Sequence, residues 1–106
     1  MKPEISVIMP VYNVEKYISI AVQSILDQTF ENLELIIIDD ASTDKTYNII
    51  NQFSDKRIIK FQNKTNKGVA HTLNEGLKIA RGEFVARMDG DDISKTDRFE
   101  KQLNVM

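Results

Sequence analysis

The sequence predicts an α/β fold in which a mostly parallel sheet is flanked by helices. Short runs of apolar, often β-branched residues recur along the chain, as in "ISVIM" (5–9) and "LELIIID" (33–39). Nearly unbroken runs of this kind are typical of strands that are buried on both faces. Each run is followed by a stretch in which apolar residues recur every three to four positions, which is typical of an amphipathic helix. With 106 residues, the chain is long enough for one small domain with its own core.

Composition excludes several classes of protein. The formal net charge of −2 gives no indication of a protein that binds nucleic acid through its charge. The chain contains no cysteine, so disulfides and thiolate metal sites are excluded. No apolar run approaches the roughly 20 residues that span a bilayer, and the first residues lack the features of a secretory signal peptide. We therefore expect a cytoplasmic location, or the inner face of the membrane for a longer protein.

Turn and cap residues predict where the elements begin and end. The first strand is expected to close at Pro10, and Asn13 is a plausible N-cap for the first helix. Ser42 or Thr43 supplies a cap for the second helix. A third strand, "RIIKFQ", precedes a third helix that stops at Gly82, and a fourth strand, "EFVARMD", precedes a fourth helix. Strands that alternate with helices in this way predict a parallel sheet with helices on both faces.

The predicted topology indicates where a ligand would bind. In open α/β sheets, ligands bind beyond the carboxyl ends of the strands, where the strand order reverses. The polar segments "PVYN", "DDASTD" and "MDGDD" follow three of the predicted strands. We expect these three segments to converge on one edge of the sheet.

The segment "MDGDD" places three carboxylates within four positions. In extended backbone, Asp89 and Asp91 point the same way, and Gly90 between them permits a tight turn. Carboxylate oxygens of this kind suit Mg²⁺ or Mn²⁺. The alternative is a solvated acidic turn in which Asp92 acts as a cap and nearby lysine and arginine residues neutralise the other acids.

Other polar residues at the strand ends have two interpretations each. Asp39 and Asp40 end the second strand, where a carboxylate can accept a hydrogen bond from a sugar hydroxyl or a base N–H. The alternative for this segment is helix capping, and that is the role expected of Asp44. Tyr12 is placed either to stack on a base or to pack between helix and sheet. Lys67 lies just before a helix N-terminus, where it either attracts an anion or is part of a solvated loop.

Taken together, "SVIMPVYN", "SILDQTFENLELIIIDDASTD", "NKGVAHTLNEGLKIARGEF" and "MDGDD" resemble the inverting family 2 glycosyltransferases of the GT-A fold. The resemblance covers essentially all 106 residues, in the order and spacing of that family. It implies a Rossmann-like domain that binds a nucleotide-diphosphate sugar, a UDP-sugar by preference. It also implies transfer of the sugar, with inversion and with Mn²⁺ or Mg²⁺, to a hydroxyl of a glycan or lipid-linked acceptor in bacterial polysaccharide synthesis.

The resemblance further implies roles for individual residues. Those expected to contact the nucleotide are Pro10, Val11, Tyr12, Asp40, Lys67 and Asp89. Among them, Asp40 is expected to hold the uracil ring. The metal contact is assigned to Asp91 together with Asp89, and Asp92 and Asp39 are expected to support the site.

The chain departs from the family pattern in one respect. In the family, the general base that activates the acceptor lies well downstream of the acidic triplet, so no catalytic base is assigned here and it is expected beyond Met106. We expect residues 1–106 to form the donor-binding part, cut short before the acceptor-binding half, with donor binding but negligible transfer. An uncovered sheet edge is then expected to favour self-association.

Three alternative functions remain at this stage. A nucleotidyltransferase is disfavoured because "PVYNVEKY", after the first strand, contains no glycine for a phosphate loop. A receiver domain is disfavoured because the same segment lacks an acidic pair. The third alternative is a non-catalytic nucleotide-binding or interaction module.

Overall fold

The structure is a computed structural model that describes residues 3–27 and 32–88. Within these ranges the chain forms four strands and three helices that alternate along the sequence. In chain order they are β1 (Ile5–Val11), α1 (Ile18–Leu26), β2 (Leu33–Asp39), α2 (Thr46–Asn51), β3 (Ile58–Gln62), α3 (Val69–Ile79) and β4 (Phe84–Arg87). The predicted fourth helix lies outside the described residues. Each helix in the described ranges is too short or too polar to cross a membrane.

The four strands form one parallel sheet with the order β3-β2-β1-β4. The sheet extends from β1 through β2 to β3, and the chain then returns through α3 to place β4 on the other side of β1. This return is the reversal of strand order that the binding rule requires, and it occurs beside β1. The two central strands, β1 and β2, are buried along their whole length.

The two faces of the sheet are covered differently. The odd-numbered residues of β1 and β2 pack with α1 and α2 in a large apolar cluster. On the other face, Ile8, Ile36 and Ile38 form a smaller cluster next to α3. This helix faces the sheet through Thr72 and Gly76, both of which are buried. A Cβ atom at Gly76 would lie 2.5 Å from Cγ2 of Ile8, so the close approach of α3 depends on a glycine there.

The prediction that β1 closes at Pro10 is wrong, because the strand runs through Pro10 to Val11. In a parallel ladder, a residue directs its N–H and its C=O toward the same neighbouring strand. The C=O of Ile8 accepts from the N–H of Met88, so the backbone N–H and C=O groups of the even-numbered residues of β1 point toward β4. The last residue of β1 that pairs with β4 is Ile8. Pro10, which has no N–H, lies beyond this last pair, so the strand continues without losing a bond to β4.

Two predicted caps are also wrong. Asn13 lies outside α1, and its side-chain oxygen accepts a hydrogen bond from the N–H of Thr43 at 2.8 Å. Ser42 and Thr43 do not cap α2. Instead, Oδ1 of Asp44 accepts from the N–H of Thr46, the first residue of α2, at 2.9 Å. The N-cap residue of α2 is Lys45, which makes no side-chain cap bond, so the contribution of Asp44 to the start of α2 is this one bond from the residue before the cap.

Gly82 does not end α3, which stops at Ile79, but joins the start of β4 to the rest of the sheet. The N–H of Gly82 donates to the hydroxyl of Ser6 at 2.8 Å, and this hydroxyl donates to Glu34 at 2.5 Å. Arg81 binds the same carboxylate through its N–H at 2.8 Å and through its guanidinium at 3.1 Å. Burial raises the pKa of Glu34, but these hydrogen bonds bring it below its ordinary value.

Candidate functional site

An open pocket of about 230 Å³ lies at the carboxyl ends of β1 and β2. It is formed by the end of β1, the residue that follows β2, the β3–α3 loop and the first turn of α3. The lining residues are Pro10, Val11, Tyr12, Asp40, Asn66, Gly68, Val69 and Thr72. The pocket therefore lies where the predicted topology places a ligand, and four of the sequence-predicted residues line it.

Asp40 connects the floor of the pocket to the β3–α3 loop. Its Oδ1 atom accepts from the side-chain amide of Asn63 at 2.9 Å and from the N–H of Lys67 at 2.8 Å. Its Oδ2 atom accepts from the N–H of Gly68 at 2.9 Å. The backbone carbonyl of Asp40 accepts from the side chain of Asn66 at 3.2 Å. Because Asp40 is only 4% exposed, these donors replace the water that would otherwise solvate the carboxylate.

The charge of Asp40 is stabilised by these contacts. Burial raises the pKa of Asp40. Hydrogen bonds from Asn63, from the N–H groups of Lys67 and Gly68, and from Thr72 lower this pKa by more than burial raises it, so the net shift is downward. An ionised carboxylate therefore lies against the N-terminus of α3. The backbone N–H of Lys67 is already used by Asp40, so an anionic ligand would have to meet the exposed ammonium group of that lysine instead.

Asp39 is fully buried and turns away from the pocket into the β2–α2 loop. Its Oδ1 atom accepts from both the N–H and the hydroxyl of Ser42, and its Oδ2 atom accepts from the side-chain amide of Gln62 at 3.2 Å. These contacts all lie within the protein. The geometry favours a supporting position for Asp39 over direct contact with a ligand.

Tyr12 lies at the rim of the pocket and is 47% exposed. The alternative in which its ring fills the space between helix and sheet is therefore wrong. Pro10 and Val11, which precede it, are buried and form an apolar floor. An exposed aromatic ring beside an apolar floor is suited to a flat ring system such as a nucleobase.

The predicted metal ligands Asp89 and Asp91, and the supporting Asp92, lie outside the described residues. The last described contact before them is the hydrogen bond from the N–H of Met88 to the C=O of Ile8, at 3.1 Å. This bond brings the chain to the carboxyl edge of the sheet directly before Asp89. Within residues 3–27 and 32–88, no group of three or more histidine or acidic side chains is placed to hold a metal ion.

Sequence reasoning missed several residues that shape the pocket. Four of them line the pocket, namely Asn66, Gly68, Val69 and Thr72. The fifth is Asn63, whose side-chain amide donates to Asp40. All five lie in or just after "NKTNKG", a segment that was predicted only to attract an anion, through its lysines and through the helix N-terminus that follows it. The rule that parallel strands end at one edge applies to β3 as well. Applied there, it would have placed this loop beside "PVYN" and "DDASTD".

Comparisons with known proteins agree on one family. The model of the glycosyl transferase family 2 matches residues 6–106. WfaP of Escherichia coli, a UDP-Glc:alpha-D-GlcNAc-diphosphoundecaprenol beta-1,3-glucosyltransferase, is 43% identical over 102 residues, covering 96% of this chain and 41% of WfaP. The chain spans about two fifths of the length of the curated relatives that it matches first.

Solved structures show the same relationship. TarS of S. aureus, crystallised in complex with UDP-GlcNAc, superposes with a TM-score of 0.88 at 36% identity, covering 98% of this chain and 30% of that chain. The mannosyltransferase PcManGT of Pyrobaculum calidifontis, in complex with GDP-Man and Mn²⁺, gives a TM-score of 0.77 at 30% identity, covering 86% of this chain and 28% of that chain. The predicted GT-A fold is confirmed, and the chain belongs to glycosyl transferase family 2.

Proposed function

We propose that this chain is the part of a family 2 glycosyltransferase that binds a UDP-sugar donor. The sugar is then transferred, with inversion, to a hydroxyl of a glycan or lipid-linked acceptor. The observation that carries the proposal is the pocket at the reversal of strand order, bounded by Tyr12 on one side and Asp40 on the other. TarS, whose structure contains UDP-GlcNAc, and WfaP, whose name specifies UDP-Glc, support uridine as the nucleoside.

In this proposal, the uracil ring lies between Tyr12 and Asp40. A carboxylate offers about four acceptor sites, and here hydrogen bonds from Asn63, Lys67 and Gly68 occupy three of them. Thr72, whose hydroxyl can rotate, also lines the pocket. We propose that the N–H of uracil donates to the remaining acceptor site on Asp40.

The acids that follow β4 are assigned to the metal. Asp91 and Asp89 would hold Mn²⁺ or Mg²⁺, with Asp92 in support, and the Mn²⁺ in the PcManGT structure supports this assignment. The position of Met88 fits it, since this residue brings the chain to the edge of the sheet where the pocket lies. When bound, a divalent cation neutralises the charge that develops on a diphosphate leaving group.

The acceptor site and the general base are assigned to a further part of the protein. The family relatives are more than twice as long as the segment they share with this chain, which leaves room for an acceptor-binding half. The 106 residues alone are then expected to bind donor with negligible transfer.

Calorimetric titration with UDP and with GDP, each with Mn²⁺ or with EDTA, tests the proposal. Tyr12→Ala should weaken UDP binding by about tenfold, since stacking of a base on an aromatic ring contributes roughly 1–3 kcal/mol. Tyr17→Ala is the matched control, because Tyr17 is similarly exposed, at 53%, but does not line the pocket. Asp91→Ala should abolish the part of the affinity that depends on Mn²⁺. Failure of UDP to bind, or equal effects of the two tyrosine variants, would contradict the proposal.

A further inference from the structure

The β1–α1 loop and the β2–α2 loop hold each other through reciprocal hydrogen bonds. The N–H of Asn13 donates to the hydroxyl of Ser42 at 2.8 Å. In return, Oδ1 of Asn13 accepts from the N–H of Thr43, also at 2.8 Å. Each loop thus supplies one backbone donor and one side-chain acceptor to the other. Asn13 directly follows Tyr12, which lines the pocket.

A second reciprocal exchange lies farther from the pocket. The N–H of Glu15 donates to Asp44, and the N–H of Lys45 donates to Glu15, both at 3.3 Å. Between the two exchanges, the N–H of Val14 donates to the hydroxyl of the buried Thr46 at 2.9 Å. We call the whole set the loop clamp; its residues are Asn13, Val14, Glu15, Ser42, Thr43, Asp44, Lys45 and Thr46.

Among the described residues, the backbone adopts left-handed conformations at two that are not glycine, one within the loop clamp and one directly before its second loop. Asn13 has a φ of 51° and Ala41 a φ of 62°. Asparagine tolerates this region, whereas alanine adopts it only at a cost. Each of the two directly follows a pocket residue, Tyr12 or Asp40. The two turns therefore set the direction in which the chain leaves the pocket on either side, and the loop clamp keeps them in place.

From this arrangement we infer that Asn13 is a positioning residue for the donor pocket. It is not among the residues that line the pocket. It acts through the N–H of Thr43 and the hydroxyl of Ser42, and so fixes Tyr12 relative to Asp40. The inference rests on the proposed function, since the quantity that Asn13 controls is the affinity of the pocket for a uridine nucleotide.

Three substitutions at Asn13 separate its backbone role from its hydrogen bond. Asn13→Ala removes the acceptor and disfavours the left-handed backbone, so UDP binding should weaken by about tenfold. Asn13→Gly keeps the backbone and loses only the acceptor, so the loss should be about fivefold. Asn13→Asp keeps both, and its affinity should stay within about twofold of the wild type, measured at a salt concentration that screens Glu15 and Asp44.

Amide hydrogen exchange gives a readout that does not require UDP. The N–H of Thr43 should exchange about five to ten times faster in Asn13→Ala and in Asn13→Gly, because it has lost its acceptor, and at nearly the wild-type rate in Asn13→Asp. Lys60→Met is the control for stability alone. It removes the hydrogen bond from Lys60 to the C=O of Phe53, two residues that belong neither to the loop clamp nor to the pocket lining, and should leave the affinity for UDP unchanged.

The outcomes distinguish this inference from the proposed function. If the wild-type chain binds UDP and the affinities rank as Asp above Gly above Ala, with faster exchange at Thr43, the inference is supported. If the wild type binds UDP but all three variants bind equally well, or Lys60→Met is as damaging as Asn13→Ala, the inference is overturned and the proposed function stands. If the wild type does not bind UDP, both are overturned.

Discussion

The two walls of the pocket are held in different ways. The first wall, which contains Tyr12, is held by the loop clamp, in which several side chains of two loops share the hydrogen bonds. The second wall is the β3–α3 loop, whose bonds from Asn63, Asn66, Lys67 and Gly68 all end on Asp40. In the first wall, the loss of one side chain therefore leaves other hydrogen bonds in place, whereas the second wall depends on Asp40 alone. The same type of substitution should therefore lower stability less in the first wall than in the second.

The largest effect is expected for Asp40→Asn. The new side chain keeps one acceptor oxygen, so its NH2 group faces either the N–H of Gly68 or the two donors from Lys67 and Asn63. In both orientations, a donor faces a donor at the place of the lost oxygen. We expect the free energy of unfolding to fall by about 2–4 kcal/mol and UDP binding to be lost. Urea denaturation and calorimetry measure the two quantities. In the control Asp27→Asn, at an exposed carboxylate, the change should stay within about 0.5 kcal/mol.

A smaller effect is expected for Asp44→Asn, the corresponding change in the loop clamp. Asp44 accepts from the N–H groups of Thr46 and Glu15, but the bonds made by Asn13 remain when it is replaced. The free energy of unfolding should fall by about 1 kcal/mol, as for the loss or weakening of one hydrogen bond. If Asp44→Asn lowered the free energy of unfolding as much as Asp40→Asn, the proposed difference between the two walls would be contradicted.

Acid should weaken both walls. Burial raises the pKa of Asp40 and that of Asp44, but hydrogen bonds, from Asn63 and the β3–α3 loop for Asp40 and chiefly from Thr46 for Asp44, lower each pKa below its ordinary value. A lowered pKa contributes stability that is present above the unfolded value, near 3.9, and is lost as the pH falls through the folded value. Unfolding followed from pH 6 down to about pH 2 should therefore show a decline that begins near pH 4.

The same titration sharpens the comparison. Asp40→Asn removes one of the carboxylates whose pKa is lowered in the folded chain, so its stability should depend less steeply on pH in the acid range than that of the wild type. If Asp40→Asn left the pH dependence of the free energy of unfolding unchanged, the Asp40 carboxylate would not be stabilised by the hydrogen bonds described above.

The smallest effect is expected for Ala41→Gly, at the turn between the two walls. Glycine adopts a φ of 62° without the cost that alanine bears, but it also gains freedom in the unfolded chain. The net change should be an increase of about 0.5 kcal/mol in the free energy of unfolding. Thermal denaturation at pH 7 detects it, and a decrease would mean that the left-handed turn is not a source of strain.

Much of the fold follows from the sequence, because the relevant patterns are local. The run from Leu33 to Asp39 is short, rich in isoleucine and nearly unbroken, which is typical of a strand buried on both faces, and its predicted bounds match those of β2. The boundary at Pro10 was not predictable in the same way. A proline is tolerated within a strand only where its N–H would face no partner, and this depends on where β4 ends.

The site was predicted as a location but not as a set of contacts. The rule for parallel sheets places Tyr12 and Asp40 at one edge from the strand order alone. It does not show that Asp40 binds the backbone of Lys67 and Gly68, because these residues lie 27 and 28 positions farther along the chain. Likewise, Asn13 has the sequence context of a cap, but its side chain finds its partner in another loop.

The most direct test of the central claim, that this pocket binds a uridine nucleotide, is an NMR titration of the ¹⁵N-labelled chain with UDP in the presence of Mg²⁺. We predict that the largest shifts of amide resonances occur at residues that line the pocket, among them Tyr12, Gly68 and Val69. Saturable shifts that instead cluster at the C-terminal end of α3, around Phe61 and Ile79, or no saturable shifts at all, would contradict the account.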